Sequence, residues 1–233
     1  MTWAIVGLGW LGSALQKRLS QQHIESWGTH RTLLDLTISE LPVRQHSVLF
    51  LNTPPLLTLP PEVYGTRVAK SPAERVIFVS STSVYGSTQG AVTEESAAHP
   101  DTASGQWLIA VEEELRGIFR ERLLVIRPGG LIGGSRHPAH HLAGRQDIAG
   151  GREVVNLIHR TDLISLILRS SADIPVLNAV SPHHPTRSSY YTAWCEKLGL
   201  EKPQFKDEAN SHRVVDSIYE GLIDWEVPLL DRL

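Results

Sequence analysis

Trp3-Ala4-Ile5-Val6-Gly7-Leu8-Gly9-Trp10-Leu11-Gly12 is a short apolar run that passes without a break into G-x-G-x-x-G. The run reads as a buried strand. Behind the glycines, Leu11, Leu15 and Leu19 recur every four residues and form one apolar stripe of a helix over Ser13 to Leu19. His23 to Trp27 reads as a second strand. A strand–turn–helix–strand setting gives this glycine pattern a mechanical meaning. Gly7 allows a tight turn off the strand, Gly9 removes a side chain where a pyrophosphate would approach the backbone, and Gly12 lets helix and strand pack closely. The helix start offers N–H groups and the positive end of its dipole to an anion. Gly7, Leu8, Gly9, Trp10, Leu11 and Gly12 are therefore the expected phosphate-binding turn for a dinucleotide cofactor. The alternative is a glycine-rich turn with a structural job only.

Working outward, an acidic residue for a ribose diol belongs about 20 residues further on, at the tip of the second strand. This chain has Gly28-Thr29-His30-Arg31 there, and Glu25 falls inside the strand, too early for that job. Thr29 and Arg31 suit a 2′-phosphate, which a guanidinium can pair with, so the reading leans to NADP(H) over NAD(H). Arg31 as a solvated loop charge is the alternative. A parallel crossover takes about a dozen residues, so a full helix and strand do not fit between Arg31 and Gln45. Leu33-Leu34-Asp35-Leu36 reads as a reduced strand, with Asp35 and Leu36 near an adenine. Ser47 to Asn52 is a clear strand, stopped by Pro54-Pro55, and Asn52 and Thr53 at its end join the expected cofactor set.

Further along, Glu62 to Lys70 reads as a short helix and Arg75 to Ser80 as a strand. Gln106 to Phe119 reads as a helix with Leu108, Val111, Leu115 and Ile118 on one face and Glu112-Glu113-Glu114 as a solvated face. Leu123 to Arg127 is a strand closed by Pro128-Gly129-Gly130, after which Gly133 to Pro138 is loop. A helix over Thr161 to Arg169 has Thr161 or Asp162 near its cap. A strand over Val176 to Val180 and a helix over Ser189 to Leu198, stopped by Gly199, follow. The alternation predicts an α/β fold, a doubly wound Rossmann-type parallel sheet with a small C-terminal substrate lobe. Residues 1–130 form the dinucleotide-binding domain, continued by parts of 155–180, and 131–233 form the lobe intertwined with it.

Composition removes several alternatives. At about 150 residues per domain, the 233 residues amount to one domain plus an appendage. Twenty-two basic residues against 25 acidic ones give a net charge of -3, with no basic stripe, so nucleic acid is not an expected partner. No apolar run approaches the ~20 residues of a membrane span, and Met1-Thr2-Trp3 lacks the basic start of a signal peptide, so a cytoplasmic protein is expected. The single cysteine, Cys195, excludes an internal disulfide and a cysteine-based metal site. His137, His140 and His141 are broken by Pro138 and have no interleaved acidic residue, so no metal is expected.

The motifs together resemble the extended short-chain dehydrogenase/reductase superfamily, in its NAD-dependent epimerase/dehydratase branch. Besides the glycine turn, Phe78-Val79-Ser80-Ser81-Thr82-Ser83-Val84-Tyr85-Gly86 resembles the strand-end motif that carries the catalytic Ser or Thr. Arg127-Pro128-Gly129-Gly130-Leu131-Ile132-Gly133 resembles the loop that touches the nicotinamide. Asn156-Leu157-Ile158-His159-Arg160-Thr161-Asp162-Leu163 resembles a substrate-lobe segment. The resemblance implies cofactor contacts at Ser80, Pro128, Gly129 and Leu131, a catalytic hydroxyl at Ser81, and substrate contacts at Thr82, Ser104, Arg136 and His159. Against this family 233 residues is short, and the shortfall falls between Thr29 and Ser47 and between Pro54 and Arg75.

The chain departs from the family at its catalytic pair. The family's Tyr-xxx-Lys, four apart on one helix face, falls here on Ser104 and Leu108. None of the five lysines lies between Ser71 and Glu196, and Tyr85 is the one tyrosine near the expected centre. Hydroxyls orient a carbonyl but are poor general acids alone. His137 and His159 are then the candidate acid/bases, with a hydrogen-bonded loop histidine as the alternative for each. The expected catalytic set is Ser81, Tyr85 and His137. Two functions follow: an NAD(P)-dependent oxidoreductase or epimerase acting on a sugar-like or nucleotide-linked carbonyl or alcohol, or a non-catalytic dinucleotide-binding sensor or regulator. The expected partners are a small-molecule substrate and at most a second copy of the chain, as monomer or homodimer.

Overall fold

The computed structural model describes residues 1–32, 34–87, 90–171, 173–209 and 213–232. Its central feature is a six-stranded sheet in the order β2-β1-β3-β4-β6-β9. The strands are β1 (Thr2–Val6), β2 (Glu25–Thr29), β3 (Val48–Leu51), β4 (Arg75–Val79), β6 (Leu123–Pro128) and β9 (Val176–Ala179). Each pairing from β2 to β6 is parallel. Sheets covered on both faces need strands that are apolar throughout. Ala4-Ile5-Val6, Val48 to Leu51 and Val76 to Phe78 meet that requirement and are almost wholly buried. β2, at the sheet edge, carries Glu25 and Ser26.

The chain divides into two compact units. The first holds residues 1–86, 98–127 and 164–177. In it α1 (Trp10–Gln21) buries Leu11, Leu15 and Leu19. α2 (Pro61–Val68) and α3 (Ala103–Phe119) pack together closely, since a Cβ on Gly65 would meet the Glu114 side chain at 2.6 Å. Tyr64 stands edge-on to Trp107, whose indole N–H donates to the Leu59 carbonyl at 2.7 Å. The strand order reverses between β1 and β3, which opens a crevice at their carboxyl ends.

The second unit holds residues 87–97, 128–163 and 178–233. Two short parallel pairs frame it: β7 (Gly130–Ile132) with β8 (Leu157–His159), and β5 (Ala91–Val92) with β10 (Val214–Val215). Its core gathers Ile132, Leu157, Tyr190, Tyr191, Trp194 and Leu230, from β7, β8, α6 (Arg187–Lys197) and the C-terminal segment. That segment is tied down firmly. The Asp162 carboxylate accepts the backbone N–H groups of Glu226 and Val227, and the Leu230 carbonyl accepts from Tyr190 Oη and Trp194 Nε1. α4 (Ala139–Leu142) is a single turn, and α5 (Arg160–Arg169) and β9 contribute residues to both units.

Several boundaries differ from the sequence reading, for local reasons. β2 runs to Thr29, two residues past Trp27, because it pairs with β1 as far as Val6. α3 begins at Ala103 because the Thr102 hydroxyl caps it on Gly105 N–H. Leu34 to Leu36 form no strand, and Leu33 lies outside the described residues. Thr161 and Asp162 do lie in the first turn of α5, where His159 Nδ1 accepts the Thr161 N–H at 3.2 Å and Asp162 serves the C-terminal segment.

Candidate functional site

In the first unit, β1 ends in a turn that only glycine can make. Gly7 has φ +103°, and a Cβ there would lie 2.3 Å from the Asn52 carbonyl oxygen. The Thr29 carbonyl accepts from Gly7 N–H and Leu8 N–H, and Asn52 Nδ2 donates to the Gly7 carbonyl at 3.1 Å. The tips of β1, β2 and β3 are thereby tied into one loop. A Cβ on Gly12 would lie 2.2 Å from the Gly7 oxygen, so that position is closed to larger residues by backbone. Gly9 is the opposite case, with nothing within 4 Å of the place its Cβ would occupy. Gly9 also caps α1, with no side-chain hydrogen bond to the first turn and no acidic residue in it. An uncapped helix start beneath open space fits a pyrophosphate, whose charge the first-turn N–H groups would meet.

The tip of β2 continues into an exposed basic residue. Thr29 is buried, while the Arg31 side chain is 78% exposed and touches Asp35 at 3.4 Å. Asp35 and Leu36 are the residues expected near an adenine. The Asp35 carboxylate is taken up by the Thr37 hydroxyl and N–H, which hold its pKa below the usual value, and Leu36 is packed in the core. Thr53, expected on the cofactor, shares a hydrogen bond with Tyr64 Oη at 3.2 Å.

At the end of β4 the structure brings together a group that the sequence reading did not assemble. Glu112, assigned to a solvated face, is 1% exposed. Its carboxylate takes Arg127 Nη2 at 2.6 Å, Arg127 Nε at 3.2 Å and the Ser80 hydroxyl at 2.5 Å. Arg127 Nη1 also donates to Tyr85 Oη at 2.9 Å. Burial works against the Arg127 charge, but Glu112 and Tyr85 outweigh it and hold its pKa above the ordinary value. Ser80 thus donates its hydroxyl proton and Tyr85 accepts on its oxygen inside a buried cluster, so Tyr85, expected in the catalytic set, is fully buried beside the Arg127 charge. Glu112 could have been found from its spacing, since position 112 lies one turn after Leu108 and next to Val111 on the buried stripe.

Ser81 differs from Ser80. It is half-buried, and its oxygen accepts the Ser83 N–H at 3.1 Å at the start of the 3-10 turn Thr82–Tyr85. Its own O–H is left to orient a carbonyl. Thr82 is buried, Ser104 sits half-buried in the first turn of α3, and Leu108 is packed in the core.

In the second unit, Gly129 N–H donates to the Ala179 carbonyl, and a Cβ on Gly129 would lie 2.4 Å from the Asn156 oxygen. Pro128 and Gly129 therefore belong to a tightly fitted backbone crossing. Leu131 and Arg136 line an open cleft of about 490 Å³. His137 is 2% exposed, its Nε2 sits 3.1 Å from Tyr190 Oη, and its Nδ1 accepts Ala139 N–H. Burial, helped by His140, pushes its pKa down to about 4. The ring is therefore neutral at pH 7 and packed among aromatic side chains at the edge of that cleft. His159 is 6% exposed, and burial followed by the Arg160 charge lowers its pKa.

No protein-family model matches the chain. The chain is 32% identical over 242 residues to protein YeeZ of Escherichia coli (strain K12), covering 89% of this chain and 88% of YeeZ. Among solved structures it is similar to MoeE5, solved with UDP-glucose and NAD (TM-score 0.71, 16% identity, 94% of this chain and 90% of that one). It is also similar to human epimerase family protein SDR39U1, solved with NADPH (TM-score 0.70, 18% identity, 88% and 82%). At those identities the structures establish the fold.

Proposed function

The chain belongs to the same family as E. coli YeeZ and carries the extended short-chain dehydrogenase/reductase fold, and from that premise we propose that it is an NAD(P)-binding oxidoreductase or epimerase acting on a sugar-like or nucleotide-linked carbonyl or alcohol. The observation that carries the reading is the open ground over Gly9 at an uncapped helix start, beside two glycines closed by backbone. The bound cofactor supplies the hydride chemistry, and the protein supplies binding and orientation. The first-turn N–H groups of α1 hold the pyrophosphate, and Ser81 orients the reacting oxygen. Arg31, exposed at the tip of β2, favours NADP(H) over NAD(H) by pairing with the 2′-phosphate. The reading carries with it a cytoplasmic monomer or homodimer. Among the described residues, no helix is long and apolar enough to cross a membrane.

Fluorescence titration with NADPH and NADH tests it. We expect saturable binding of both, tighter for NADPH, and loss of both in Gly9→Glu, which sets a carboxylate where the pyrophosphate belongs. Retained affinity in that variant would overturn the phosphate-loop assignment. A second reading, a non-catalytic dinucleotide sensor or regulator, is favoured by the catalytic pair positions. Ser104 and Leu108 stand there, while Tyr85 and His137 are enclosed. A panel of nucleotide sugars and aldehydes offered with each cofactor separates the two. Turnover of any of them removes the sensor, and none at all, with cofactor bound, removes the enzyme.

A further inference from the structure

At the amino end of the sheet in the first unit, opposite the crevice, a serine and a histidine meet. His46 lies two residues before β3, and Ser71 lies between α2 and β4. The two stretches are tied together, because the Ser47 carbonyl accepts the N–H groups of both Glu74 and Arg75. His46 Nδ1 sits 2.5 Å from the Arg44 carbonyl oxygen, which can only accept, so Nδ1 carries a proton. Burial lowers the His46 pKa, against the smaller opposing effect of that bond, so the ring is neutral at pH 7. Nε2 is then a bare lone pair, and the Ser71 hydroxyl, 2.7 Å away, donates to it. The base is covered, at 5% exposure and with Trp27 edge-on to its ring, while Ser71 is half-buried beside exposed Pro72. Ser71 Oγ also accepts Ala73 N–H at 3.3 Å, a donor that stays in place when the hydroxyl proton leaves.

A hydroxyl, a base within hydrogen-bond reach and a third group that orients the base form the arrangement of an activated nucleophile. We propose that Ser71 is a nucleophile that takes a short acyl group from an activated ester, with His46 as its base and the Arg44 carbonyl holding the ring in place. Ser71 Oγ bonds to the acyl carbon and its proton passes to His46 Nε2. The bond from that carbon to the leaving oxygen breaks, and the leaving group takes the proton from His46. Water then bonds to the acyl carbon, giving a proton to His46, and the Ser71 ester bond breaks as Oγ recovers that proton. The products are an acid and an alcohol. This activity is separate from the dinucleotide chemistry, whose phosphate turn stands at the other end of β1.

The test treats the full chain with a short alkyl fluorophosphonate, which a nucleophilic serine takes up with loss of fluoride, and maps the adduct by mass spectrometry. The adduct should fall on Ser71 and disappear in Ser71→Ala. His46→Gln should slow labelling about 100-fold, the loss expected when a general base is removed. The pH profile of the wild-type chain gives a reading that needs no variant. A base with a lowered pKa makes the rate level above about pH 6.5 and lets it fall below that, whereas an unassisted hydroxyl reacts faster at every step up in pH. The second half of the cycle is read with p-nitrophenyl acetate, whose nitrophenolate release should drop in Ser71→Ala. No adduct on Ser71, undiminished labelling in His46→Gln, a rate that climbs steadily with pH, or equal nitrophenolate release by wild type and Ser71→Ala would overturn the proposal. Each of these outcomes leaves the dinucleotide reading, which NADPH titration tests, untouched.

Discussion

The Arg127 guanidinium and the Glu112 carboxylate meet through two hydrogen bonds, 2.6 and 3.2 Å long, with side chains 7% and 1% exposed. Removing one partner of such a pair leaves the other charge buried without compensation, which costs about 3–5 kcal/mol. Glu112→Gln should therefore lower the urea midpoint sharply with an unchanged slope. Glu113→Gln, one residue on and exposed, should stay within about 0.5 kcal/mol of the parent. Equal midpoints for the two variants would remove the clamp from the account.

The glycines of the first turn predict a separation of stability from binding. Gly9→Ala fills open space and should keep the parent stability within about 0.5 kcal/mol while losing NADPH affinity. Gly12→Ala presses a methyl group 2.2 Å from the Gly7 oxygen and should destabilise by about 1–3 kcal/mol or more. Thermal unfolding and NADPH titration of the two variants measure both halves of the prediction.

Arg31 predicts a change in cofactor preference alone. Its contact with Asp35 is a surface pair of little energetic weight, about 0–1 kcal/mol. Arg31→Ala should weaken NADPH about tenfold, as for a lost charged hydrogen bond, and leave NADH unchanged. Equal losses for both cofactors would place Arg31 elsewhere than at the 2′-phosphate.

His137 predicts acid sensitivity in the second unit. Its pKa is about 4 folded, against an ordinary 6.5, so between those values the unfolded chain binds more protons. Stability should be level above about pH 6.5 and fall as the pH drops towards 4. His46 and His159, also lowered chiefly by burial, act with the same sign. A histidine signal that stays neutral at pH 5, together with urea midpoints across that window, checks the assignment. His137→Asn should flatten part of the slope.

What the sequence made legible follows from how local each signal is. The turn at Gly7, Gly9 and Gly12 was readable because strand, glycines and helix are consecutive. The sheet was readable because β1, β3 and β4 are buried on both faces and so are apolar throughout. Glu112 was misread because its partners, Ser80 and Arg127, lie 32 and 15 residues away, and only its place on the stripe of Leu108 and Val111 marks it within the Glu112-Glu113-Glu114 run. The enclosure of His137 was hidden for a similar reason, since it depends on Tyr190 and Trp194 from a helix some fifty residues later. Among the described residues, Leu34 to Leu36 form no strand, and composition alone cannot supply a partner for them.

The C-terminal segment has a consequence for how the chain emerges from synthesis. Domains generally fold as units, starting from the N-terminal end while synthesis continues. Here neither unit is complete early. The first lacks its edge strand until residue 177 has appeared, and the second lacks Leu230, which is fully buried and whose carbonyl anchors Tyr190 and Trp194. The aromatic side chains of α6 thus lack their Leu230 partner until residue 230 has been made, well after α6 itself.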